Sequence, residues 1–391
     1  MKKVLIVVPH YLPGYKSGGP QQTVQNICDV FGKSNEIFLL TQNQDFGENV
    51  PYDLETNRWL KLYGIHIMYV SPKEYNFRRL WKFYIQFDTI LACGLFCSST
   101  IQLMEIHRII NKNQLYVAPM GVFSKNALAI RSGKKKIFLW AFSFIGAFQN
   151  IIWSFTSEEE RREATEAIGR KNISTYIIAE DLPRSLDFEL YRKKIQDKAD
   201  PLRIIFLSRI VPKKNLLYAL KILDCNFEKN IQFDIYGVIE DKSYWRKCEE
   251  AIMRLPANVS CKYCGSVKPD ESIEALSQHD VFLFPTRGEN FGHVIYEALA
   301  SGCVPLISNT TPWKDFTEKR CGSVIELEDI DGFREAIRIY LKCSKREFVE
   351  YKMHAINYAE EKYRTSIENS GYKRIFESFK SLVDENKIKQ V

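Results

Sequence analysis

No apolar run in the 391 residues is long enough to cross a bilayer. A spanning helix needs about 20 apolar residues. The richest stretch, Ile137–Phe148, is shorter and ends at Gln149 and Asn150. No internal repeat, low-complexity tract or disordered tail stands out, which sets aside repeat and fibrous architectures. The start, Met1–Pro9, is too short an apolar run for a secretory signal and reads as a buried strand. A reducing, cytoplasmic compartment is therefore expected, with most of the ten cysteines free. Cys261-Lys262-Tyr263-Cys264 is a lone CxxC with no second ligand pair at zinc spacing. A strand with a cysteine on each face is the simpler reading, so no metal is expected. No DxD-type acidic motif stands out. There is no GxGxxG with an acidic residue at ribose distance, which argues against a nicotinamide enzyme. The basic residues form no nucleic-acid reading motif, so no nucleic acid is expected as partner.

What is present is ordinary globular composition, 45% hydrophobic and 26% charged, with a net charge of +7 that favours anionic partners. Strand-like and helix-like segments alternate throughout, which predicts an α/β protein of two Rossmann-like, doubly wound domains. Strands are expected at Val4–Val8, Glu36–Leu40, Ile65–Val70, Thr89–Cys93, Leu115–Pro119, Ile151–Thr156 and Ser174–Ala179. After a polar linker at Ser185–Pro201, a second set is expected at Leu202–Leu207, Ile231–Gly237, Val259–Cys264, Val281–Pro285 and Val304–Ile307. The boundaries are 1–190 for the first domain and 191–369 for the second, with a C-terminal helix of about 370–391 returning to the first.

Lys134–Phe148 is basic at its start and aromatic thereafter. With Lys125 and Arg131 before it, it suits a helix lying on an anionic membrane surface. The alternative is a buried helix with a solvated lysine turn. Arg78-Arg79-Leu80-Trp81-Lys82-Phe83-Tyr84 is a second basic–aromatic stretch.

Three segments carry candidate chemistry. Gly14–Pro20 follows the first strand, and its Gly18 and Gly19 permit close approach to an anion or sugar. A plain turn is the alternative. His10, just past that strand, is a candidate acceptor-side group or a structural histidine. Leu207–Asn215 leaves the first strand of the second domain, where ligands of open α/β sheets bind. Arg209 offers a planar fork and Lys214 a point charge, a pair suited to a diphosphate. Gly288–Gly302 reads as a turn and a helix carrying Glu289 and Glu297, with anion-binding N–H groups at its start. His293 there is expected to cap or pack.

Together these segments resemble the GT-B glycosyltransferases, most closely the retaining family four. The family shows Gly-Arg-x-x-x-x-Lys after a strand; here Ser208 stands for the glycine, and Arg209 and Lys214 match. It shows Glu-x7-Glu with Phe-Gly after the first glutamate; here Glu289, Phe291, Gly292 and Glu297 match. Gly302, Val304 and Pro305 follow in altered order, and Gly18-Gly19 matches the N-terminal glycine loop. Ala118-Pro119-Met120-Gly121 departs from Ser-Pro-His/Arg-Gly, and Ala179-Glu180-Asp181 from Pro-Asn-Gly. The resemblance implies two domains facing each other across a cleft. Arg209 and Lys214 would neutralise the donor diphosphate, helped by N–H groups of Asn290, Phe291 and Gly292. Glu297 would hold the ribose and Glu289 the transferred sugar, with Ser208 and Gly237 also lining the donor site. Gly18, Gly19 and His10 would face the acceptor.

The implied activity is retaining, metal-independent transfer from a UDP- or GDP-linked sugar to a glycan or lipid-linked glycan acceptor. It would serve bacterial surface polysaccharide synthesis (capsule, O-antigen or exopolysaccharide) at the inner face of the plasma membrane, with no cofactor. A sugar-nucleotide epimerase or phosphorylase on the same fold, and an inactive glycan- or nucleotide-binding subunit, are the alternatives.

Overall fold

The structure, a computed structural model, describes residues 3–123 and 132–376. The chain divides into two compact units, Met1–Leu182 with Ser366–Val391, and Pro183–Thr365.

In the first unit β1 (Lys3–Val7), β2 (Glu36–Gln42), β3 (Leu60–Leu62), β4 (Ile65–Val70), β5 (Thr89–Cys93), β6 (Gln114–Ala118), β7 (Ile152–Phe155) and β8 (Tyr176–Ile178) form one sheet, ordered β3-β4-β2-β1-β5-β6-β7-β8. All these neighbours pair in parallel except β3, a short antiparallel edge that sequence reading missed. The helices are α1 (Gly19–Phe31), α2 (Phe77–Tyr84), α3 (Ser98–Ile110), α4 (Ser132–Phe144) and α5 (Glu158–Ile168). Alternation along β1 explains the layering. Val4 and Ile6 join Val24, Ile27 and Phe31 of α1 on one face. Leu5 and Val7 join residues of α2, α3 and α5 on the other.

The second unit holds β9 (Leu202–Leu207), β10 (Ile231–Tyr236), β11 (Val259–Gly265), β12 (Val281–Phe284), β13 (Val304–Ser308) and β14 (Ser323–Ile325). They form a parallel sheet ordered β11-β10-β9-β12-β13-β14. Its helices are α6 (Phe188–Lys194), α7 (Leu216–Leu223), α8 (Lys242–Ile252), α9 (Pro269–Ser277), α10 (His293–Ala300), α11 (Ile330–Lys342) and α12 (Lys345–Glu368). Every residue of β12 and β13 is buried, as expected of strands covered on both faces. The strand order reverses beside β1 in one unit and beside β9 in the other, and the crevice at such a reversal is where doubly wound sheets take ligands.

Two sequence expectations change. The stretch Ser185–Pro201 lies in the second unit and contains α6, whose first turn is capped by Asp187 accepting the Leu190 N–H. Glu289 is not on a helix: α10 begins only at His293, because Gly292 takes a left-handed φ of 81° and ends the loop there. The C-terminal segment keeps to its expectation: α13 (Lys373–Phe376) packs on the first unit, with Phe376 stacked on Phe31 at 4.6 Å. Residues 377–391 of the expected C-terminal helix lie outside the described residues.

The basic–aromatic stretches also part company. In α2, Leu80, Phe83 and Tyr84 are buried, Arg79 pairs with Glu74 at 3.6 Å, and Asn76 caps the helix. It is a core-facing helix. In α4, Phe138, Leu139 and Phe142 pack inward, but Ile137, Trp140 and Phe144 are 68%, 69% and 79% exposed. It is therefore not a buried helix with only its lysines solvated. Lys125 and Arg131 lie outside the described residues. No described helix is long and apolar enough to cross a membrane.

Candidate functional site

The loop leaving β9 turns at once. Ser208 donates its N–H to Tyr236 O, and Ile210 bridges to Ile239 in the loop leaving β10. This apposition is what Gly237 serves: a Cβ there would lie 1.7 Å from Ser208 O. Further along, Asn215 adopts a left-handed φ of 65°, starts α7 and donates from its amide to Pro285 O at 2.9 Å. Arg287 donates its N–H to Lys213 O at 2.9 Å. The loops leaving β9 and β12 are thus stitched together by a side-chain amide and a backbone N–H.

Lys214 and Glu289 meet where those loops touch. The Lys214 ammonium donates to both carboxylate oxygens, at 2.6 and 2.8 Å, and Thr286 Oγ1 donates to Glu289 Oε1 at 2.9 Å. Both side chains are nearly buried, 13% and 11% exposed. Burial lowers the Lys214 pKa and Glu289 pulls it back up; Arg209 and Lys213 lower it again by like-charge repulsion. Arg209 is more open and is held by Glu240, 3.1 Å from each carboxylate oxygen. The sequence pair Arg209 and Lys214 is brought within electrostatic reach, with each cation already engaged by a carboxylate.

Phe291 is buried against Trp313, whose indole N–H donates to Phe291 O at 2.6 Å. That bond sets the approach to α10, and Asn290 stays exposed beside it. Gly292 has no room for a side chain, since a Cβ would lie 2.8 Å from Ile295 Cδ1. Glu297, on α10, is buried, and Ser272 of α9 donates to it at 3.1 Å. Burial, then the charge of Lys214, lowers the His293 pKa to about 4, so this ring packs as a neutral group.

In the first unit, Gly18 caps α1 at φ 68°, and Gly19 is already helical. A Cβ on either would meet no atom within 4 Å. The open space beside them is not filled by the chain itself. His10 is 3.1 Å from Gln44 O through Nδ1. Met120 holds a strained φ of 60° where the family carries a basic residue. Glu160 is buried behind it, accepting the N–H of Gly121 at 2.6 Å and of Thr156 at 2.8 Å. Asp181 accepts from Thr23 Oγ1 at 2.9 Å. Burial raises its pKa to about 6, with the charges of Glu160 and Glu180 adding to the rise.

Sequence reasoning missed Glu240, Thr286, Ser272, Glu160 and Asp45, whose buried carboxylate accepts the backbone N–H groups of Tyr15 and Lys16. Only Glu160 had a local signal, as the fourth residue of Ser157-x-x-Glu160 at a helix start. It also passed over Asp329-Ile330-Asp331, which does spell DxD. Asp329 caps α11 through the Gly332 N–H, and Asp331 is exposed beside Arg334. Among the described residues no group of three or more His, Cys, Asp or Glu is placed to hold a metal.

Residues 187–362 match the family model described as Glycosyl transferases group 1. That span covers nearly all of the second unit, Pro183–Thr365. This chain is 21% identical over 300 residues to an uncharacterized 41.2 kDa protein in the cps region of Klebsiella pneumoniae, covering 76% of this chain and 80% of that one. Its fold is GT-B. Anabaena HepE in complex with UDP-glucose superposes with a TM-score of 0.65 at 14% identity, over 98% of this chain and 100% of HepE. WaaG, a glycosyltransferase involved in lipopolysaccharide biosynthesis, gives 0.56 at 14% identity, over 96% and 100%.

Proposed function

We propose that this transferase moves a sugar, with retained anomeric configuration and without a metal, from a UDP- or GDP-linked donor to a hydroxyl of a glycan or lipid-linked glycan acceptor. The observation that carries the reading is the buried Lys214–Glu289 pair at the carboxyl ends of β9 and β12, with Glu297 on the helix that follows. A diphosphate entering there competes with Glu289 for Lys214. The exchange neutralises the leaving group and frees Glu289 to accept from hydroxyls of the transferred sugar. Arg209 and the N–H groups at the start of α10 add positive potential, and this positive charge takes the place of a metal. Glu297, oriented by Ser272, takes the ribose hydroxyls. The UDP-glucose bound by HepE supports a nucleotide-sugar donor. The cps-region relative supports a place in surface polysaccharide synthesis. The exposed aromatic face of α4 supports contact with an anionic membrane at its cytoplasmic side.

The test is a panel of UDP- and GDP-sugars, scored first by thermal shift and then by turnover with chelator present. A donor in excess over its Kd by about 100-fold stabilises the native state by roughly 2.7 kcal/mol. Binding and turnover by the wild type, both lost in Glu297→Ala, support the reading. A wild type that neither binds nor turns over any member defeats it.

A further inference from the structure

Thr286 sits just past the end of β12 and is fully buried. Its backbone is fixed from the neighbouring strand. Ser308, the last residue of β13, and Thr310 both donate their hydroxyls to Thr286 O, at 2.5 and 2.7 Å. Its side chain is fixed from the other side. Oγ1 lies 2.9 Å from Glu289 Oε1, 3.3 Å from Lys213 O and 3.4 Å from the Gly288 nitrogen. A hydroxyl has a single proton to give. The nearest acceptor is also the charged one, and a bond to an ionised acceptor is roughly twice as strong as a neutral one. The proton therefore goes to Glu289, and the Gly288 N–H donates to an Oγ1 lone pair.

This makes the oxygens of Glu289 unequal. Oε1 accepts from both Lys214 and Thr286. Among the described residues Oε2 accepts from Lys214 alone, at 2.8 Å. A diphosphate that takes Lys214 removes the ammonium from both oxygens. Oε1 still has the Thr286 hydroxyl. Oε2 is left bare in a nearly buried place, where an unmet acceptor is costly. A sugar hydroxyl is a neutral donor that meets it. With the Thr286 hydroxyl gone, the carboxylate is free to turn and to follow the ammonium towards the phosphates, where like charge repels it.

We propose that Thr286 is a positioning residue for transfer: it holds Glu289 by Oε1 while Lys214 passes to the diphosphate, and so presents Oε2 to a hydroxyl of the sugar being moved. This rests on the transferase reading and deepens it. Thr286 is buried and acts through Glu289, not on the donor directly.

The experiment compares the wild type with Thr286→Val and Thr286→Ser in the full chain. Calorimetry gives the affinity for UDP and GDP alone. Nucleotide release from UDP-glucose, UDP-galactose, UDP-N-acetylglucosamine and GDP-mannose gives kcat and KM for whichever donor the wild type consumes. Thr286→Val should lower kcat by about 10- to 100-fold, the scale of one hydrogen bond to a charged group. Affinity for the bare nucleotide should stay as in the wild type, because the diphosphate is met by Lys214, Arg209 and backbone amides. Thr286→Ser, which restores the hydroxyl, should recover most of the lost kcat. If valine unfolds the protein, Thr286→Cys, a weak donor, is read in its place with the same expectation. If the wild type binds a donor without consuming it, the same comparison is read on the affinity that the sugar adds to the bare nucleotide. Unchanged kcat, or unchanged sugar contribution, in the valine or cysteine variant overturns the role. So does a nucleotide affinity that falls as far as kcat, which makes Thr286 a support of the loop and not of Glu289. A serine variant as slow as valine overturns it as well. These results leave the transferase reading standing. A wild type that neither binds nor consumes any of the donors defeats that reading, and the role of Thr286 falls with it.

Discussion

In both units a carboxylate joins two loops at the carboxyl edge of the sheet, but it does so with different partners. In the second unit Glu289 holds a side-chain ammonium, Lys214, at 2.6 Å in a nearly buried setting. In the first unit Asp45 holds the backbone amides of Tyr15, Lys16 and Phe46, and the rings of Tyr15 and Phe46 are exposed. A buried ion pair can be exchanged: a polyanion can replace one partner and leave both charges satisfied. An amide cradle is scaffolding, and it presents whatever its loops carry. The difference separates an exchangeable charge pair from a fixed backbone cradle.

The largest expected effect tests the exchangeable pair. Lys214→Ala should lower transfer by about 10²–10³, as for loss of one group stabilising developing charge. It should also leave Glu289 buried and unpaired, a cost of about 3–5 kcal/mol. The Lys214→Ala/Glu289→Ala double variant should regain much of the stability and none of the activity. Urea titrations and turnover on the three proteins decide this. Equal stability of single and double variants would mean the pair is not coupled.

Next come two glycines that sequence alone treats alike. A Cβ at Gly237 would meet Ser208 O, whereas one at Gly19 meets nothing within 4 Å. Gly237→Ala should destabilise the protein by on the order of 3 kcal/mol through backbone displacement. Gly19→Ala should change stability by less than about 1 kcal/mol, and reduce transfer if a ligand uses that space. A stable Gly237→Ala would show that the loops leaving β9 and β10 are not held as close as described.

The strands that carry the sites were legible because parallel strands covered on both faces are continuous apolar runs, as at Val281–Phe284 and Val4–Val7. Arg209, Lys214, Glu289 and Glu297 stood out as candidates because their spacing resembles that of the family. The pairing of Lys214 with Glu289 was not, since it depends on β9 and β12 being neighbours although far apart in sequence. The start of α10 was misjudged because Gly292 looks like any helix-entry glycine until its φ is known. Asp45 was invisible for a similar reason: its partners are amides, and every residue but proline has one.

The units should also respond oppositely to acid. His293 is held neutral, its pKa lowered to about 4 by burial and the Lys214 charge. Its contribution to stability is complete above the unfolded value of about 6.5 and is lost as pH falls through that window, by up to roughly 3 kcal/mol. Asp181 is the reverse, with its pKa raised to about 6 by burial. Its contribution is complete below the unfolded value of about 3.9 and is lost as pH rises to 6, again by up to roughly 3 kcal/mol. Hydrogen exchange followed at pH 7 and pH 5 should therefore show the second unit weakening relative to the first. His293→Gln should flatten the second unit's response, and Asp181→Asn should stabilise the first unit at pH 7 but not at pH 4. Parallel responses in the two units would refute the assignment of these two groups.

The smallest effect on stability belongs to the outer face of α4, which contrasts with the aromatic patch around Phe46 within the same unit. Ile137, Trp140 and Phe144 project from a helix that also carries Lys135 and Lys136, with Lys135 over the Phe96 ring at 5.3 Å. Trp140→Gln with Phe144→Gln removes apolar area that contributes nothing to the core, so unfolding should shift by no more than about 0.5 kcal/mol. Binding to phosphatidylglycerol vesicles should nevertheless fall by tenfold or more, because two large apolar side chains supply most of the interfacial insertion, and Lys→Gln changes should add a salt-dependent loss of about 1 kcal/mol each. Neutral phosphatidylcholine vesicles should bind the wild type less than the anionic ones. If the Gln variants bind anionic vesicles as the wild type does, the α4 face has another occupant, and the membrane contact proposed for the first unit fails.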